Sequence, residues 1–277
     1  MSDFTNSQIF GTVIAFTYVD EFQKRGLPHA HTLLILNEES KLSTAQKIDE
    51  HIKAEIPNRM EDPRLYNLVS AHMFHEPCGA LNRRSPCMLD NNCTKNYPKR
   101  FAENTELNVG GLPLYQRRND GNSVSVRGHQ LDNRWVVPYN PFLLRKFSAH
   151  INVEACVSQR SVKYLYKYIY KGHDTLTCAT RNNDEISTYA NFRYVSPPEA
   201  FWRIYAKPLH LKSHTIVRLD VHLPNEQNII FVEGEESVAV ETETGKDTTL
   251  TAYFRLNDPN ARARTALLEH SSALCLE

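Results

Sequence analysis

His29 and His31, separated by Ala30 and followed by Thr32-Leu33-Leu34-Ile35-Leu36, are the residues best placed for metal chemistry. Alternate residues of a strand point to one face, so the two imidazoles project side by side while the apolar run anchors the strand in a core. Upstream, Phe10 to Tyr18 (FGTVIAFTY) is a second β-rich run, and Arg25-Gly26-Leu27-Pro28 between the two reads as a turn. Two antiparallel strands would then carry Glu21 and Gln23 on one and the histidine pair on the other. Such a hairpin offers an ion two imidazoles and an oxygen donor and leaves positions open for a substrate. An isolated His-x-His is more often a pair of surface histidines on a half-buried strand, so the pair needs a second feature to give it meaning.

That feature is Ser161 to Lys171, SVKYLYKYIYK, with tyrosines at 164, 166, 168 and 170. Read as a helix from about Ser158 to Lys171, it places Arg160, Tyr164, Lys167, Tyr168 and Lys171 on one face. Val162, Leu165, Tyr166, Ile169 and Tyr170 fall on the other and form a core stripe. Cations beside a phenol lower the cost of its anion and attract phosphate. A tyrosine so placed is a usable nucleophile toward a phosphodiester when a metal polarises the phosphate. Lys167 and Lys171 would hold phosphate oxygens, or Lys167 would simply solvate the helix face.

Histidines on a strand and paired tyrosines on a later helix resemble the HUH single-strand endonucleases of rolling-circle replication. EFQKRGLPHAH, NRWVVPYNP (133–141), AHINVE (149–154) and KYLYKYIYKGHD look like the replication-initiator nuclease of Helitron transposases. So do AFWRI (200–204) and VRLDVHLP (217–224), and the similarity runs in order from about Phe10 to Asp258. The resemblance implies a metal-dependent endonuclease and strand transferase that nicks single-stranded DNA and keeps the 5′ end on tyrosine. It implies Mg2+ or Mn2+ at His29 and His31. Gln23 best fits the third ligand of the pattern, and Glu21, whose carboxylate suits a hard ion better, is the alternative. It assigns the nucleophiles to Tyr164 and Tyr168, in agreement with the helix face. The implied partners are single-stranded DNA and a helicase acting in trans, and the implied compartment is the nucleus.

Two departures stand beside the resemblance. Helitron proteins continue into an ATP-driven helicase, and this sequence has no Gly-x-x-x-x-Gly-Lys-Ser/Thr loop, so no ATPase activity is expected. After Asn260 the tail ARARTALLEHSSALCLE drifts from the family pattern, which keeps open an inactive, truncated element copy or a DNA-binding module without catalysis.

A formal net charge of zero over 277 residues excludes binding to DNA by bulk charge but not through a local basic groove. The region from Cys78 to Arg118 holds Arg83, Arg84, Lys95, Lys99, Arg100, Arg117 and Arg118. Tyr97, Phe101 and Tyr115 are interleaved with them, a pattern suited either to stacking on unpaired bases or to an ordinary solvated loop. Cys78, Cys87 and Cys93 lie in the same region with His72 and His75 just upstream, at spacings that match no common zinc finger. Free cysteines and a structural Zn2+ site both remain open. No transmembrane run or signal peptide is present, so disulfides are not expected and no membrane partner is implied.

The expected fold is α+β: a central antiparallel sheet flanked by helices, the palm-like arrangement of the resembled superfamily, with residues 76–135 as an irregular basic insert. Residues 1–232 would form the endonuclease domain and 233–277 a linker and divergent tail. Helices are expected at Ser43 to Ile56, with Ser43 as cap, at Asp62 to Phe74, and over most of Glu185 to Tyr205 with a break at Pro197-Pro198. Strands are expected at His150 to Ala155, Ile216 to Leu223 and Asn228 to Val232.

Overall fold

A computed structural model describes residues 1–22, 27–107, 112–157, 195–214, 247–257 and 273–276, together with His222 and Gly234. The chain divides into two compact units, one of Met1–Ser213 with Ser271–Glu277 and one of His214–His270.

The first unit is α+β. Its frame is a long hairpin, β1 (Val13–Phe22) and β2 (Pro28–Leu36), paired antiparallel from Val13↔Leu36 to Phe22↔Pro28. Val, Ile, Phe and Tyr in β1 and the aliphatic run in β2 favour a pleated, half-buried surface, which is why this segment is sheet and not helix. A short helix, α1 (Ser2–Thr5), precedes the hairpin; between the hairpin and the next sheet strand come α2 (Ala45–His51), α3 (Pro63–His72) and two small hairpins, β3–β4 (Met88–Leu89, Asn92–Cys93) and β5–β6 (Val124–Val126, His129–Leu131). Then follow α4 (Pro141–Phe147), β7 (Val153–Cys156), α5 (Pro197–Ile204) and β8 (His210–Lys212). Ala273–Leu276, in the segment read from sequence as a tail, form β9. The five strands are ordered β7-β9-β2-β1-β8, with antiparallel pairing throughout.

One sheet face is the core face. Leu34, Leu36, Val153 and Ala155 pack there with Phe10, Leu42, Ile48, Ile52 and Leu143. At the end of the hairpin remote from the histidines, Gly11 sits at φ +93°, and a Cβ added there would lie 2.3 Å from Ser40 Oγ. That oxygen accepts the Thr12 N–H at 3.0 Å and ties the start of β1 to the turn after β2. A glycine is required here both by backbone conformation and by space.

One element boundary differs from the sequence reading. The helix expected over Ser43 to Ile56 is only Ala45–His51, and its cap is Thr44, whose hydroxyl accepts from Lys47 N at 3.3 Å. It stops because Lys53 exchanges two backbone hydrogen bonds with Tyr139, each 2.8 Å, which pulls the chain into an extended course. Pro197-Pro198, where a break was expected, opens α5: the residues fill its first turn, where no amide is needed, and Ser196 caps it, while 185–194 lie outside the described residues. The tyrosine helix and the strands expected at Asn228 to Val232 lie outside the described residues, as does Ile216 to Leu223 apart from His222.

The insert is stitched to the first unit by one buried cation. Arg117, 2% exposed, reaches the carbonyl oxygens of Ala54 (3.2 Å), Asn133 (2.7 Å) and Val136 (2.6 Å) through Nη1. Asn133 Oδ1 accepts the Ile56 N–H at 2.8 Å beside it.

The second unit contains α6 (Thr249–Asn257), and there His222 Nε2 and Thr248 Oγ1 lie 2.7 Å apart.

Candidate functional site

The β1–β2 register decides which side chains meet. Glu21 is directly opposite His29 and Val19 opposite His31, so Glu21, His29 and His31 share the face away from the core. The two imidazole centroids are 4.8 Å apart, and His31 Nε2 lies 3.4 Å from Glu21 Oε2. His31 and Glu21 are buried and His29 is half-buried, so the cluster has a dry side and an approachable side. Asp20 belongs to the opposite face, where Oδ1 accepts the Tyr18 hydroxyl at 2.5 Å. Burial holds the Asp20 carboxyl above its ordinary range despite that bond, and its position excludes it as a ligand to an ion held by the pair. Gln23, Tyr164, Lys167 and Tyr168 lie outside the described residues. Two imidazole nitrogens and a carboxylate oxygen within this reach are a donor set that a divalent ion with open positions can use.

On the first unit's α5, aromatic side chains flank this hairpin. Trp202 meets Phe22, the neighbour of Glu21, edge to face at 6.0 Å. Phe201 on this helix and Tyr205 at its C-terminal cap lie 4.4 Å apart and are 52% and 63% exposed. Lys207 Nζ stands 5.4 Å over the Trp202 ring. Sequence reasoning missed this platform, although the Phe-Trp spacing within AFWRI and the following Tyr205 were visible.

The aromatics proposed from sequence for base stacking are placed otherwise. Tyr115 is 4% exposed and its hydroxyl accepts the Ala155 N–H at 2.8 Å. Tyr97 stacks on His75 at 4.2 Å with Lys99 Nζ 4.8 Å from its ring centroid, and Phe101 lies under Arg134. Of the basic residues, Arg117 is buried, Arg118 pairs with Glu55 and Arg100 with Glu106. Arg83, Arg84 and Lys95 remain exposed. The charges of the insert mostly organise the insert, because hydrogen-bonding carbonyls and carboxylates compete for them at shorter range than any groove. Glu154 lies in this interior, its pKa pushed up to about 6 by burial against the opposing influence of Tyr115, Arg117 and Lys99.

The insert also gathers His75, Cys78, Cys87 and Cys93, whose ligand atoms all lie within 4.8 Å of one another, a group that could hold a metal such as zinc. His72 is not part of it. Burial first, then the Lys99 and Lys95 charges, keep the His75 imidazole below its ordinary value, although the Glu76 carbonyl opposes them.

An antiparallel sheet with a histidine pair and a carboxylate on its outer face defines an α+β protein with a candidate divalent-ion centre. Residues 1–34, which contain β1 and the histidine pair, match the family model described as the Helitron helicase-like domain at N-terminus, so this segment is similar to that domain. No curated protein matches the chain. Among the described residues no helix is long and apolar enough to cross a membrane.

Proposed function

We propose that this chain is the DNA-nicking and strand-transfer component of a Helitron-type element, acting on single-stranded DNA in the nucleus with a helicase supplied in trans. The observation that carries this reading is the common face of Glu21, His29 and His31 inside the segment similar to the Helitron helicase-like domain. His29, His31 and Glu21 would hold Mg2+ or Mn2+, with Gln23, the ligand that best fits the sequence pattern, as a further oxygen donor. When bound, the ion would neutralise charge on the scissile phosphate.

The chain's own residues then divide the work. The Oη of Tyr164 or Tyr168 forms a bond to phosphorus as the bond from phosphorus to the 3′ oxygen breaks. The phenol gives up its proton and the leaving 3′ oxygen takes one, so the phosphodiester becomes a 5′-phosphotyrosine and a free 3′ hydroxyl. Lys167 holds a phosphate oxygen. The linkage keeps the phosphodiester energy, and attack by a later 3′ hydroxyl reverses the step and joins a new strand. Phe201 and Tyr205 offer faces on which unpaired bases stack beside the hairpin, with Lys207 near the backbone.

The test is incubation of the full chain with labelled single-stranded oligonucleotides and Mn2+, followed by denaturing electrophoresis. A covalent protein–DNA adduct is expected, absent in excess chelator and absent from Tyr164→Phe/Tyr168→Phe. An adduct that survives chelation, or that maps to Tyr166 or Tyr170, overturns the assignment. So does the absence of any adduct.

A further inference from the structure

We propose that His75, Cys78, Cys87 and Cys93 form a closed, four-coordinate Zn2+ site that folds the insert and is separate from the hairpin centre. The sequence builds it locally. Asp90 (φ 47°) and Asn91 (φ 62°) are both left-handed, and they join Met88–Leu89 to Asn92–Cys93 as a two-residue hairpin loop. Asn and Asp tolerate that conformation better than other side chains, which is what such a turn requires. The turn folds Cys93 back beside Cys87, where Thr94 N donates to Cys87 O at 2.8 Å. His75 and Cys78 arrive from the end of α3.

The donor chemistry is set for a cation. His75 Nδ1 lies 2.8 Å from the carbonyl oxygen of Glu76. A carbonyl only accepts, so Nδ1 carries the proton and Nε2 presents its lone pair, the usual way a backbone carbonyl fixes the tautomer of a ligating histidine. That Nε2 is 3.7 Å from Cys93 Sγ. Ligands at about 2.3 Å for sulfur and about 2.0–2.1 Å for nitrogen on a tetrahedron stand roughly 3.5–3.8 Å apart, so this edge already has the required length. Cys78 and Cys93 are buried and His75 and Cys87 half-buried, and four protein ligands would fill a tetrahedral ion's coordination with no position open, which makes the site structural in kind. The insert also needs such a staple. Among the described residues its own buried cluster is Cys78, Cys93, Leu131 and Trp135, with Phe74, Cys87, Met88, Tyr97 and Val126 packed against it, a small apolar surface for a loop rich in Pro, Asn and Arg.

The experiment is zinc analysis of the full chain purified without added metal, together with reconstitution by Co2+. About one zinc per chain is expected, falling to less than about a tenth of that in Cys87→Ser/Cys93→Ser. His29→Ala/His31→Ala should keep its zinc, which separates this site from the hairpin centre whether or not the nicking assignment holds. Wild-type protein loaded with Co2+ should show thiolate-to-cobalt charge transfer and the intense visible bands of a tetrahedral ion, a readout that stands even where the cysteine variants fail to fold. Zinc content unchanged in Cys87→Ser/Cys93→Ser overturns the proposal. So does weakly absorbing, six-coordinate cobalt, or a disulfide among these cysteines in zinc-free protein.

Discussion

Arg117 should behave as a structural residue and not as a DNA contact. In Arg117→Met the aliphatic volume is mostly kept, but the carbonyls of Ala54, Asn133 and Val136 lose their shared donor in a site that is 2% exposed. Each bond to a charged donor contributes about 1.5–3 kcal/mol, the three share one nitrogen, and the desolvation that holds the guanidinium below its ordinary pKa is relieved. The net loss should therefore be that of a broken buried ion pair, about 3–5 kcal/mol, and not the sum of three bonds. With a urea slope of about 2–3 kcal/mol per molar, the midpoint followed by far-UV circular dichroism should fall by roughly 1–2.5 M. The guanidinium also faces the buried Glu154 carboxylate. Arg117→Met/Glu154→Gln should accordingly lose less than the two single variants added together, by about 1–3 kcal/mol. An Arg117→Met protein within about 1 kcal/mol of wild type, with weakened binding to single-stranded DNA, would refute this reasoning and return Arg117 to a nucleic-acid groove.

Two further outcomes are expected. Glu154 is raised to about 6 from an ordinary value of 4.5, so the unfolded chain ionises first as pH rises and stability falls through that window, by about 2 kcal/mol in all. Below the window both states are protonated and the effect vanishes; Glu154→Gln should remove this slope, and identical pH dependence of unfolding in the two proteins would contradict it. Phe201→Ala and Tyr205→Ala should each weaken single-stranded DNA binding about 5- to 150-fold, from roughly 1–3 kcal/mol per stacked base, with little change in stability because both rings are more than half exposed. Fluorescence anisotropy with a labelled oligonucleotide measures this, and an unchanged Kd would dismiss the platform.

The hairpin was legible because its signal is local: period-two alternation from Pro28 to Leu36 and a turn before it suffice to put His29 and His31 on one face. The α+β class follows from the same pattern. What was not legible depends on partners distant in the chain. Nothing near Ile52 announces that Lys53 will pair with Tyr139, so α2 was read too long. Arg117 and Tyr115 look like groove residues in a basic stretch until the carbonyls of Ala54 and Val136 and the amide of Ala155 claim them. Cys78, Cys87 and Cys93 matched no finger spacing because the ligand geometry comes from the Asp90-Asn91 turn, and that dipeptide was the overlooked clue. His75, not His72, joins them because His75 follows the end of α3 while His72 closes its last turn.

The sequence has two tryptophans, and the fold spends one near each candidate centre. Trp135 lies 6.2 Å from the His75 ring, and Trp202 touches Phe22 beside Glu21. The protein thus carries two intrinsic optical reporters at separate addresses. A coloured ion such as Co2+ bound among the cysteines would drain the emission of Trp135 by energy transfer, while bases settling against α5 would quench Trp202. Trp135→Phe and Trp202→Phe each leave a single reporter, so the two events can be followed independently in unlabelled protein.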